Sequence, residues 1–197
     1  MSKEYIVFTS EYGSAARYIA KELEKKLGIK FYGEEDLLIR TAKESGIDEK
    51  ILREYDEKLA NSKLDETSQL NEDGLGLKIY NAYSDTILKI AKEGPCILME
   101  RGADIVLKGK VDFLNVYAYS KDMEKKADRC ERVGGIPKKD APEHIAKQEM
   151  LRKVYYSTFS SIGRGKMSEY DLCINTDTFT VDSLGMEKCA EIVKAAL

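Results

Sequence analysis

The chain has 197 residues, 43% of them hydrophobic, which suits one domain with a substantial core. Charged residues make up 34%, with both signs interleaved and a formal net charge of −3, so a protein that coats nucleic acid is not expected. No apolar run approaches the roughly 18 residues of a membrane span, and no basic-then-apolar leader opens the chain, so the reading is cytoplasmic, without signal peptide or span.

Taken in order, Tyr5–Thr9 is a short apolar, β-branched and aromatic run, the pattern of a strand buried on both faces. A glycine turn at Gly13 leads into a helix over about 14–27. Its residues Ala16, Ile19, Ala20, Leu23 and Leu27 share one face, and Gly28 stops it. A second strand is expected at Ile29–Tyr32, then helices over 36–43 and 49–59, an exposed polar loop over 61–73 and a helix over 75–92. Cys96–Met99 and Phe113–Tyr119 read as further buried strands. The segment 121–156 is helical and charged, broken at Gly134–Pro137, and 157–168 is a Gly- and Ser-rich loop. Asp171–Asn175 is the fifth strand, and a helix over 182–196 closes the chain, with Asp182 or Ser183 as its N-cap.

Strands alternating with helices imply a parallel sheet covered on both faces. Ligands in such sheets bind beyond the C-terminal strand ends, which directs attention to 10–17, 100–104, 120–129 and 176–178. Cys96, Cys130, Cys173 and Cys189 form no C-x-x-C pair and read as reduced thiols. With His144 as the one histidine, read as a solvated surface residue, a Ser-His-Asp hydrolase or histidine-rich metal site is nearly excluded, and no protein-held metal is expected.

Strand, glycine turn and helix together can turn backbone N–H groups and a helix N-terminus onto an anion. The full phosphate-loop pattern G-x-x-x-x-G-K-[ST] is not met by Glu11-Tyr12-Gly13-Ser14-Ala15-Ala16-Arg17-Tyr18. Glu11 stands for the first glycine, Ala16 for the second, Arg17 for the lysine and Tyr18 for the hydroxyl residue. By itself the segment fits either a phosphate loop or a plain turn in which Gly13 supplies a positive φ. Arg101, after the third strand, suits bidentate recognition of an anionic acceptor, or a salt bridge to Glu100 or Asp104. Asp104 reads as a first-turn acid, or as a ligand for a base or for water on Mg²⁺. Lys125, Lys126, Arg129 and Arg132 alternate with acids, as on a solvated, self-paired helix face. Gly134–Pro137 suits a lid hinge or an ordinary helix–helix turn.

The longer pattern resembles the bacterial cytidylate-kinase-like proteins. Their loop, roughly I-S-R-E-Y-G-S-G-G-R-x-I-A followed by K-L-G-I-x-F-Y-D, is matched by Thr9–Ala20 and Lys26–Tyr32. Their G-R-G-A-D is matched by Glu100–Asp104, and their late Y-Y and Y-D-L-x-I-N-T segments by Tyr155-Tyr156 and Tyr170–Thr176. The resemblance implies a single three-layer P-loop kinase domain over 1–197. It would have about five parallel strands, helices on both faces, a nucleoside-monophosphate-binding region at about 33–92 and a helical lid at about 121–168. It implies transfer of the γ-phosphate of ATP, with Mg²⁺, to CMP or a similar monophosphate, and no tightly bound cofactor. In these terms Gly13, Ser14, Ala15, Ala16 and Arg17 would wrap the donor phosphates. Lys126, Arg129 and Arg152 would add cations, and Arg101 and Asp104 would meet the acceptor.

The chain departs from the pattern at charged and glycine positions. Ala15-Ala16 replaces Gly-Gly, Ser10 an arginine, Glu100 a glycine and Gly33 an aspartate, and the lid's D-K-x-R reads Glu149-Met150-Leu151-Arg152. Since phosphoryl transfer depends on cations and close backbone donors, a relative that binds nucleotide without turnover, or a kinase for another small hydroxyl compound, stays open.

Overall fold

The computed structural model of the protein describes residues 3–61, 74–160, 163–179 and 183–197. Five parallel strands form one sheet: β1 (Tyr5–Ser10), β2 (Lys30–Tyr32), β3 (Cys96–Met99), β4 (Phe113–Tyr119) and β5 (Leu172–Asn175), in spatial order β2-β3-β1-β4-β5. Between and around them run α1 (Ala16–Leu27), α2 (Glu34–Ser45), α3 (Glu49–Asn61), α4 (Leu75–Glu93), α5 (Ala103–Leu107), α6 (Met123–Gly134), α7 (Ala141–Phe159) and α8 (Ser183–Ala195).

Alternation along the central strand sends its side chains to two cores. Ile6 and Phe8 pack with Ile19 and Leu23 of α1 and with Cys189 and Val193 of α8. Val7 points the other way, to a larger core built from Leu37, Leu52, Ile87, Val106 and Val154 of α2, α3, α4, α5 and α7. Both faces of the sheet are therefore dry, which is why its strands read as continuous apolar runs. Because β3 and β4 flank β1, the turns after these three strands meet at one edge. The Glu100 N–H bonds the Phe8 carbonyl and the Glu11 N–H bonds the Ala118 carbonyl, both at 2.9 Å.

The expected strands and long helices form within a few residues of their expected bounds. α2 begins at Glu34, before the expected Asp36, because Asp36 turns back to accept the Gly33 N–H at 2.9 Å. α5 was not expected, since five residues are too short for a helical period to register. α7 runs through Phe159, into the expected loop. Gly134–Pro137 is a turn between α6 and α7, where Gly135 closes α6 through its N–H to the Cys130 and Glu131 carbonyls. Most of the expected 61–73 loop and the expected cap at Asp182 lie outside the described residues. No described helix is long and apolar enough to cross a membrane.

Candidate functional site

Beyond β1 the chain turns sharply at Gly13, whose φ of 75° favours glycine. A Cβ there would lie 3.1 Å from Cβ of Lys126, so α6 packs directly on this turn. Ala15 holds φ 68° and ψ 10° and caps α1 without a side-chain bond. The loop thus keeps a left-handed conformation that alanine resists by about 1–2 kcal/mol. Within the described residues the N–H groups of Ala15, Ala16 and Arg17 have no acceptor, and α1 has no acid in its first turn. Ser14 is buried and its Oγ has no partner among the described residues. These are the unsatisfied donors and unbalanced dipole of a helix N-terminus that suits an anion.

Three cations close over the loop from behind. Lys126 bonds Glu11 at 2.7 Å. Arg129 donates Nη1 to the Gly13 carbonyl at 2.8 Å, while its buried Nε and Nη2 have no partner among the described residues. Burial holds Arg129 below the ordinary guanidinium value, and Asp177 offsets this only in part. Arg152, from α7, donates to the Ser10 carbonyl at 2.8 Å and to Glu34 at 3.0 Å. The expected self-paired surface helix is therefore corrected: Lys126 and Arg129 are buried against the loop, while Lys125 and Arg132 are exposed.

Acids meet these groups. Glu149 of α7 accepts the Tyr12 N–H and bonds Arg164 at 2.9 Å. Glu100 accepts the Ser10 N–H at 2.7 Å and the Ser10 hydroxyl at 2.9 Å, with Arg152 at 3.4 Å and Arg164 at 3.7 Å. Two departures from the family pattern, Ser10 and Glu100, thus bond each other. Burial raises the Glu100 carboxyl above its ordinary value against the pull of Arg152 and Arg164. At Glu34 burial also pushes upward, but Arg152 and Arg101 prevail and hold it low.

After β3 the backbone takes three left-handed residues in a row: Glu100 at φ 64°, Arg101 at 55° and Gly102 at 66°. Two of them carry side chains, and strain of this kind collects at working sites. The turn presents Arg101 to a cleft of about 350 Å³, whose charged lining also includes Glu34, Glu35, Arg53, Asp56 and Glu57. The Arg101 fork meets Asp56 at 2.7 and 2.5 Å, and its guanidinium carbon lies 4.8 Å from the ring centre of Tyr83 and 5.8 Å from that of Tyr155. The expected salt-bridge partners Glu100 and Asp104 are thus replaced by Asp56, 45 residues away in sequence.

Of the residues singled out from sequence, Gly13–Ala16, Lys126, Arg129 and Arg152 converge at the loop. Arg17 is exposed and bonds no described side chain. Asp104 stands apart: it is buried, accepts the Tyr156 hydroxyl at 2.7 Å and lines a separate cleft with Lys108 and Asn115. His144 is not a solvated surface residue. It is half-buried, with Nε2 3.0 Å from the Tyr12 hydroxyl. Sequence reasoning missed Glu34, Asp56, Glu149 and Arg164, each of which acts through a partner distant in the chain. The four cysteines are all unpaired, and Cys96, Cys130 and Cys189 are buried.

Residues 5–178 match the model of the cytidylate kinase-like family. The chain belongs to that family. No curated protein matches the sequence. Among solved structures, this cytidylate kinase-like chain is similar to an uncharacterized protein from Eubacterium ventriosum, with a TM-score of 0.67 and 19% identity over 97% of this chain and 96% of that one. It is also similar to TT1252 from Thermus thermophilus, at TM-score 0.57 and 14% identity, covering 100% and 99%. A deoxyadenosine kinase from M. mycoides with bound dATP aligns at TM-score 0.50 and 13% identity, covering 96% and 98%. The fold is that of the P-loop kinases, and the protein is a nucleotide-kinase-like one.

Proposed function

We propose that the protein is a P-loop phosphotransferase of the nucleoside-monophosphate-kinase type. It takes ATP at the 11–17 loop and passes the γ-phosphate to a small acceptor in the cleft beside Arg101. One observation supports this reading: the start of α1, the Ser14 hydroxyl and the Arg129 guanidinium all hold polar donors without acceptors among the described residues, and they sit at one turn. A polyphosphate supplies the missing acceptors and the missing charge.

The donor phosphates would lie along the N–H groups of Ala15–Arg17 and the Ser14 hydroxyl, with Arg17, Lys126, Arg129 and Arg152 neutralising charge as the phosphoryl group moves. The acceptor oxygen would approach from the Arg101 side, while Asp104 lies in the separate cleft and takes no part there. Positioning and charge do most of the work in this reaction class, so no general base is assigned. Among the described residues no three His, Cys, Asp or Glu side chains converge on a metal-sized site. Mg²⁺ would enter with the nucleotide, held by its phosphates and water.

CMP, the acceptor implied by the sequence resemblance, is the first to test. A second reading, a different small hydroxyl acceptor, is favoured by the prior engagement of Arg101 with Asp56. Binding without turnover is favoured by Ala15, which keeps the loop's shape under strain. Thermal unfolding with and without Mg·ATP, followed by an ADP-release assay over the common monophosphates, separates these. A Tm rise with ATP is expected, and no rise with ATP, phosphate or sulfate would rule out the loop as an anion site.

A further inference from the structure

Among the described residues, the two large cores contain none from α6. Ala127 and Cys130 pack instead in a small separate cluster with Ala141 and Ile145 of α7, joined by Tyr12 and Ile136. Apolar burial thus ties α6 to α7 and to the donor loop, and its hold on the sheet falls to polar contacts. Those contacts converge on Asp177, in the turn after β5. One carboxylate oxygen accepts the Ser120 hydroxyl at 2.6 Å, and the other accepts the Lys121 and Asp122 N–H groups at 2.6 and 3.2 Å. The Asp177 carbonyl accepts Nζ of Lys125 at 2.9 Å. Asp122 in turn caps α6, accepting the Glu124 and Lys125 N–H groups at 3.0 and 3.2 Å.

The carboxylate stands on a fixed base. Asn175 Oδ1 accepts the Asp177 N–H at 3.1 Å, and the buried Thr176 hydroxyl donates to the Tyr119 carbonyl, also at 3.1 Å. Burial pushes the Asp177 carboxyl up, but the Ser120 hydroxyl and the two N–H groups prevail and hold it below the usual value. It is an anion at neutral pH, able only to accept. Further along α6, Lys126 bonds Glu11 and Arg129 bonds the Gly13 carbonyl. A Cβ on Gly13 would lie 3.3 Å from Cα of Lys126, so the helix backbone itself abuts the loop. A helix moves as a rigid element, so a shift at its start reaches both cations. We propose that Asp177 is a positioning residue of the donor site: it anchors the start of α6 so that Lys126 and Arg129 stay over the phosphate loop. This rests on the phosphotransferase reading above and adds to it a residue from outside the loop. Two other roles have different signatures. A carboxylate that only strengthens the fold alters stability and leaves the ATP affinity of the folded protein alone. One that acts by its charge on Arg129, whose burial it partly offsets, is lost when the charge is lost.

Calorimetric titration with Mg·ATP tests this, at a temperature where unfolding curves show each variant folded. Asp177→Ala removes the anchor and should weaken ATP binding about tenfold, as for the loss of one charge-assisted bond to phosphate. Asp177→Asn should stay within about threefold of the wild type. Its amide oxygen accepts both N–H groups, and its amide nitrogen donates to the Ser120 oxygen, whose proton turns to the Asp122 carbonyl 3.4 Å away. In a Lys126→Ala/Arg129→Ala background, Asp177→Ala should cost less than about threefold more, because its effect passes through those two side chains. Where that background binds ATP too weakly to titrate, the alanine–asparagine comparison decides. Should Asp177→Ala not fold, Ser120→Ala takes its place: it removes one of the three bonds and should weaken ATP binding about threefold. Wild-type affinity in the alanine variant used, equal losses in Asp177→Ala and Asp177→Asn, or full additivity with loss of the two cations overturns the inference and leaves the phosphotransferase reading standing. If the wild-type protein binds no Mg·ATP, that reading falls and the inference with it.

Discussion

The two sides of the proposed site, donor and acceptor, handle charge in opposite ways. On the donor side, backbone N–H groups at the start of α1, the Ser14 hydroxyl and two nitrogens of Arg129 have no acceptor among the described residues. On the acceptor side, the forks of Arg101 and Arg53 are each closed by carboxylates. A site built with unsatisfied donors holds a place for an anion; one built with paired charges is stable alone and discriminates by what it repels. The two sides should therefore respond differently to mutation. Donor-side changes should alter binding more than folding, and acceptor-side changes should do the reverse.

The largest effect is expected where a buried pair is broken. Asp56→Ala strands the Arg101 guanidinium, whose side chain is 8% exposed, between Tyr83 and Tyr155. Losing one partner of such a pair costs about 3–5 kcal/mol. Urea unfolding of the ligand-free protein should show a loss of at least about 3 kcal/mol, at the low end of that range. A loss below about 1 kcal/mol, the scale of an exposed pair, would mean the pair is effectively solvated.

Arg129→Ala is expected to reverse that pattern. The substitution removes a buried cation that bonds only the Gly13 carbonyl among the described residues. Ligand-free stability should change little, because a lost hydrogen bond is offset by relief of desolvation. ATP binding should weaken by about 10- to 100-fold, the equivalent of roughly 1.5–3 kcal/mol for a charge-assisted bond. Calorimetric titration with Mg·ATP beside an unfolding curve measures both. Equal losses in stability and binding would show that Arg129 is structural, and the contrast between the two sides would collapse.

Much of this was legible in the sequence, and for a physical reason. Buried parallel strands write themselves as apolar runs, so Tyr5–Thr9, Cys96–Met99 and Phe113–Tyr119 located the sheet, and Gly13 located the turn after β1. The charge network was not legible. Arg101 and Asp56 are 45 residues apart, and His144 and Tyr12 are 132 apart. Local spacing carries no trace of such pairs. The burial of Lys126 and Arg129 was hidden for a related reason: an interleaved charge pattern looks solvated until the fold lays one face of α6 against the loop.

A smaller effect tests the donor loop's backbone. Ala15 sits at φ 68°, where glycine is at ease and alanine is strained by about 1–2 kcal/mol. Ala15→Gly removes that strain but adds about 0.5–1 kcal/mol of unfolded-state freedom. The net expectation is a gain of about 0.5–1 kcal/mol in stability. The loss of the methyl group also opens the backbone to phosphate, so ATP affinity should rise. Unfolding and titration curves for this variant would show both. A fall in stability would mean that the alanine is not strained there.

The smallest effect is a pH dependence at the one histidine, which makes its NMR signal unambiguous. His144 on α7 touches the Tyr12 hydroxyl of the donor loop. Burial first, and Lys147 second, hold its pKa below the ordinary value near 6.5. A depressed folded-state value means that the neutral ring is favoured by folding. The contribution is therefore present above the unfolded value near 6.5 and is lost as pH falls through the lower folded value. A titration of the His144 ring carbon–proton signal should have its midpoint below 6.5, and the slope of stability with pH in that window should be shallower in His144→Gln. Because the ring belongs to α7 and its partner to the loop, ATP binding should shift that signal as well. A midpoint at or above 6.5, with no response to ATP, would mean that the His144–Tyr12 contact does not tie α7 to the proposed donor site.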